Sequence, residues 1–201
     1  MKTTLFNYPE YAEIDGEKYH INTDFRVAIK CNELTMDKEL DDMERGLAII
    51  YLLFGEKGLK AVQHYDKLAE KAVYFLRCGI DDTFEENNEK PDMDFVEDMP
   101  YIEASFQSDF GINLENTKMH WWKFYNLMNG LSNSEMGNCC VLNRIRNLRN
   151  LDLREIKDAK TRKDLQEAKK RVALKKYQPK KKEATEEQLK SANEFIKALG
   201  L

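Results

Sequence analysis

The chain has 201 residues and a mass of 23.6 kDa, the size of one ordinary domain or of a domain with an appendage. Its apolar fraction of 42% supports a real core, while 34% charged residues, against roughly 25% in a typical domain, leave an unusual share of the chain in water. A net charge of −4 argues against a uniformly basic nucleic-acid binder, and only 9 Gly and 4 Pro argue against a turn-rich sandwich or barrel and for helices.

The first twenty-odd residues read as a β-hairpin. YAEI and EKYHI flank Asp15-Gly16, a pair that tolerates positive φ at both positions of a tight type I′ turn. A lone hairpin is marginal in water, so the following helices must cover it. Asn22 or Thr23 is placed to cap a helix that carries Phe25, Ala28, Ile29 and Leu34 on one side. Asp41-Asp42-Met43-Glu44 is a capping-box pattern leading into ERGLAIIYLLFG, apolar almost all round and expected at the buried centre. After Gly55, Leu59, Val62, Leu68, Ala69, Ala72, Phe75 and Leu76 recur at helical spacing up to Gly79, a C-cap position.

Between Asp81 and Asp98 nine acids oppose only Lys90, which reads as a solvated loop. It lacks the central Gly and final Glu of a calcium loop. Tyr101, Ile102, Phe106 and Phe110 form the next stripe, ended by Gly111, and MHWWKFYNLMNGL follows as a further helix. Ser132-Asn133-Ser134-Glu135 is a capping box for the helix containing Val141, Leu142 and Ile145. From Leu151 the apolar residues thin out, and Arg154 to Lys182 holds thirteen Lys/Arg against four Asp/Glu. A helix this polar is solvated or waits for a partner. Thr185-Glu186-Glu187-Gln188 then opens a short amphipathic helix with Leu189, Ala192, Phe195, Ile196 and Leu199 on one face.

The expected fold is therefore mainly α: a small N-terminal hairpin packed on a multi-helix bundle over residues 1–150, a basic helical arm over 151–182 and an amphipathic helix over 183–201. The start MKTTLFNYPEY lacks the apolar stretch of a secretory signal, and the longest apolar run, Leu47 to Phe54, is too short to span a bilayer. Cys31, Cys78, Cys139 and Cys140 form no CxxC, and reduced thiols in an intracellular, soluble protein are expected.

Catalytic patterns are missing. There is no GxGxxG, GxxxxGK, GxSxG, HxxxH or HExxH, and carboxylate pairs carry little information in a chain with 36 acids. A non-enzymatic protein without cofactor, metal or small-molecule substrate is expected. The stronger lead is aromatic: Trp121, Trp122, Phe124 and Tyr125 place both tryptophans and two further rings within five positions. Adjacent helical residues sit about 100° apart, so the two indoles cannot share one stripe. Either the helix is sandwiched in a core, or one ring joins a contact surface, where Trp and Tyr are enriched. Those four residues and Leu189, Phe195, Ile196 and Leu199 are the candidate partner-binding positions. For the basic arm, a solvated helix, a protein-binding helix and a nucleic-acid contact stay open. The lack of interleaved aromatics and the acidic remainder argue against the last.

Asp15-Gly16 followed by Tyr19-His20-Ile21-Asn22-Thr23-Asp24-Phe25-Arg26 resembles the opening of a family of small tail proteins from siphophages and prophages of Gram-positive bacteria. Tyr101, Phe106, Phe110-Gly111-Ile112, Leu114 and His120-Trp121-Trp122-Lys123-Phe124 resemble the family's second hallmark, with Leu127–Leu131 and the helix to Arg146 continuing it. The resemblance covers about residues 8–160. It implies a largely helical, non-enzymatic tail assembly chaperone, encoded just before the tape-measure gene. Such a protein binds the tape-measure protein in the host bacterial cytoplasm and is absent from the finished particle. Self-association is also expected, with the segment after Leu151 as an arm for that or for client binding. Two rival readings are a structural tail or head–tail connector component of the virion, and a regulatory protein acting on nucleic acid through residues 154–182.

Overall fold

The structure is a computed structural model that describes residues 8–80, 91–133 and 139–177. It is mainly helical, with one two-stranded antiparallel hairpin, β1 (Tyr11–Ile14) and β2 (Glu17–His20). Asp15 (φ 51°) and Gly16 (φ 82°) make the tight turn, and the register pairs Tyr11 with His20 and Ile14 with Glu17. The hairpin is covered as its marginal stability requires. It rests on α2 (Asp42–Lys60) and α3 (Tyr65–Leu76), with Ala12, Ile14 and Tyr19 buried.

Helix α1 (Phe25–Thr35) buries Phe25, Ala28, Ile29 and Cys31. Its cap is Asp24, one or two positions later than Asn22 or Thr23, because Asp24 Oδ1 reaches the Arg26 N–H. The Asp41–Glu44 capping box opens α2 as expected. Gly55, at φ 65° and ψ −161°, a conformation open to glycine, breaks α2 into two helical pieces, at the point where the apolar run ends. One expectation for the next stretch is corrected. The third helix starts at Tyr65 after a 3-10 turn over Val62–His64, which leaves Val62 78% exposed. Nor is α2 buried all round: Ile50, Leu53 and Phe54 face inward while Met43 and Tyr51 lie in water.

Helices α4 (Met99–Phe110) and α5 (Trp121–Asn129) come next, α4 ending on the left-handed Gly111. Helix α6 (Val141–Asn150) begins later than a Ser132 cap would place it. Cys140 is its N-cap, the sulfur accepting the Asn143 N–H at 3.4 Å. Residues 134–138 lie outside the described ones. One apolar core joins the hairpin to α1–α6. Beyond it the basic segment is helical in pieces, a 3-10 turn at Leu153–Glu155, α7 (Ala159–Val172) and a second 3-10 turn at Lys175–Tyr177. Helix α7 packs on α6 and buries no residue fully, but Leu174 beyond it is buried. The expected helix with Leu189, Phe195, Ile196 and Leu199 lies outside the described residues. Among those described, no helix is long and apolar enough to cross a membrane.

Candidate partner-binding groove

The INTDFR and HWWKF stretches meet in the core. Asp24 and His120 form an isolated antiparallel bridge, in which Phe25 N–H donates to Met119 O (3.0 Å) and Trp121 N–H to Thr23 O (2.7 Å). Each bridging residue also caps the helix directly after it. Asp24 opens α1, and His120 Nδ1 accepts the Trp122 N–H at 3.0 Å to open α5. With Nδ1 accepting, the ring is a neutral tautomer whose Nε2–H donates to Pro9 O at 3.1 Å. Burial holds the imidazole below its ordinary pKa, against the opposing pull of Pro9 O and the Glu10 charge. Arg26 fastens the loop before α5 through the carbonyls of Leu114, Glu115 and Thr117.

The adjacent indoles diverge, as their 100° separation demands. Their ring N–H groups nonetheless reach consecutive acceptors at the end of α3: Trp121 Nε1 donates to Leu76 O (2.9 Å) and Trp122 Nε1 to Phe75 O (2.8 Å). Carbonyls in the last turn of a helix have no partner within it, so the pair closes α3. Trp121 is 1% exposed and Phe124 fully enclosed, stacked between Phe25 (4.6 Å) and Phe106 (5.1 Å). Trp122 is half-buried against Tyr8, Tyr74 and Phe75. Tyr125, also half-buried, packs beside Trp121 at 5.8 Å, and both border an opening.

That opening is a groove of ≈ 330 Å³. Ile29 of α1, Met36 just after it, Met93 and Phe95 line it, together with Trp121 and Tyr125 of α5. Lys176 and Tyr177 line it too, and Glu33, Asp94, Arg77 and Lys176 put charges of both signs along it. The solvated-loop expectation fails here for residues 91–98. Phe95 packs edge-on against Trp121 at 5.7 Å, and Asp98 is completely buried.

The enclosed Asp98 carboxylate is neutralised by a bidentate pair with Arg149, both contacts at 2.7 Å. The same guanidinium donates to Asp92 O (2.8 Å) and Val172 O (2.7 Å), tying the acidic segment and the end of α7 to α6. Glu97 accepts the backbone N–H groups of Lys175 and Lys176, each at 2.7 Å, which fixes where the chain passes the groove. Burial tends to raise Asp94, but the Glu97 and Val96 amides and Lys176 together hold it below the usual carboxylate range.

His64, Cys31 and Cys78 sit apart from this groove. His64 Nδ1 is bonded to the Tyr19 hydroxyl at 2.8 Å, and burial pushes the Cys31 and Cys78 thiols up to about 12. Among the described residues no three His, Cys, Asp or Glu side chains cluster to hold a metal ion. Met93, Phe95 and Tyr177 were not candidates from the sequence. The available signal was an apolar Met93-x-Phe95-Val96 inside an acidic run, a place where solvated chain has no use for aromatics.

The model of the family described as Bacteriophage Gp15 protein matches residues 7–174. No curated protein and no solved structure matches the chain.

Proposed function

The chain belongs to the bacteriophage Gp15 protein family, and from that premise we propose that it is a non-enzymatic tail assembly chaperone. In this reading it holds the phage tape-measure protein in the host bacterial cytoplasm until the tail tube polymerises around it, and it acts in a self-associated form. The observation that carries the reading is the groove beside Tyr125, an apolar trough with a rim of mixed charge. Such a trough suits the apolar face of an amphipathic helix, whose anchors repeat every three or four residues, and the rim suits its polar flank. Use of His120 and His64 as structural hydrogen-bonding groups supports a binding role over a catalytic one.

The test is co-expression with the long helical protein encoded immediately downstream, followed by size-exclusion chromatography with light scattering. A soluble complex with a client that precipitates alone is expected, and its mass gives the stoichiometry. No complex, with the client soluble by itself, removes the reading. Finding this chain in purified particles would replace it with a structural role in the virion.

A further inference from the structure

The groove is lined in part by the end of the described chain. Tyr177, the last described residue, lines it, and Glu97 pins the amides of Lys175 and Lys176 just before it. Eleven residues separate Tyr177 from Leu189. An extended chain covers ~3.3–3.6 Å per residue, a reach of about 40 Å, enough to cross the opening or turn back on it. Further along the sequence, Leu189, Ala192, Phe195, Ile196 and Leu199 share a helical face, the spacing of anchors that a groove accepts.

We propose that this groove is the docking site for residues 189–199 of the same chain, which occupy it in competition with any other amphipathic helix. A tether this short gives a local concentration on the order of millimolar, so even weak anchoring keeps the groove occupied in cis rather than by a second copy. Displacement by a client rests on the chaperone reading; occupancy by the chain's own segment does not.

A fluorescent peptide of residues 183–201 is titrated into the full-length protein and into a Phe195→Glu/Ile196→Glu variant, with circular dichroism confirming that both are folded. The variant is expected to bind the peptide at least tenfold more tightly than the unmodified chain. Binding should shift the emission of the protein's own tryptophans, since Trp121 lines the groove and Trp122 faces the other way. Adding Met36→Glu to the variant should abolish binding; Met36 is 58% exposed, so the change tests the groove and not the core. Equal binding by the two proteins, or none by either, overturns the proposal. A dimer that the substitutions dissociate also overturns it, in favour of a second copy. Client capture is read separately: a variant that captures the tape-measure protein but ignores the peptide ends this proposal and leaves the chaperone reading standing. Peptide binding without client capture does the reverse.

Discussion

The junction where Asp24 meets His120 and the layer formed by α7 are held by different forces. At the junction, paired backbone bonds sit beside the Phe25–Phe124–Phe106 stack and both indoles, all within the apolar core. At α7 the ties are polar: Arg149 to Val172 O, Lys169 to Leu151 O, and Glu97 to two amides, with Leu174 as the buried apolar contact. Apolar burial of that density cannot open without global unfolding, whereas a layer on hydrogen bonds and one leucine can lift off by itself. The protein thus pairs a rigid frame with a releasable cover, and the groove lies where the two meet.

The largest effect should come from the frame. Phe124→Ala empties the centre of the ring stack and is expected to cost about 3–5 kcal/mol in denaturant unfolding; a loss below about 1 kcal/mol would mean that the frame is not built on that stack. Next is the clasp between frame and cover. Arg149→Met strands the buried Asp98 charge and should cost about 3 kcal/mol, the low end for a broken buried pair. Pairing it with Asp98→Leu should recover most of that loss, and failure to do so would show that Arg149 acts through Val172 and Asp92 instead.

Asp24→Ala removes one of the two facing caps, with an expected loss of about 1–2 kcal/mol. Glu97→Ala should act on the cover alone, speeding amide hydrogen exchange in α7 and at Lys175 and Lys176 while the main unfolding transition moves by at most about 1 kcal/mol. A shift of the whole transition would merge cover and frame into one cooperative unit. The smallest effect is the pH dependence of His120. Its folded pKa is depressed by burial, so the unfolded chain takes up the proton first as pH falls. Stability is full above the ordinary histidine value of about 6.5 and declines as pH falls from there through the folded value. The proton would occupy Nδ1, the atom that caps α5. His120→Asn keeps a capping acceptor and should flatten that decline, which melting curves between pH 7 and pH 5 would read.

Local structure was legible where local chemistry decides it. Asp15-Gly16 marks the hairpin because the turn needs positive φ twice, the Asp41–Glu44 box marks the start of α2, and Gly111 marks the end of α4. Boundaries failed where tertiary contacts outvote propensity. Val62 reads as part of the third helix but lies exposed in the 3-10 turn before it. Cys140 and His120 cap helices although neither is a favoured capping residue. At α5 the doublet of tryptophans was visible, but not that both indoles close α3, because their acceptors lie 45 and 47 residues away.

By itself the sequence determined the helical class, the hairpin, most helix faces and the charge contrast between the body and residues 154–182. Periodicity, caps and composition act over a few residues and need no partner to be read. Only the tertiary structure decided which acid of the 81–98 run is buried, where the INTDFR and HWWKF stretches meet, and that a groove opens between α1 and residues 91–95. Each of those depends on groups far apart in the chain whose burial or pairing is favourable only once the core has brought them together.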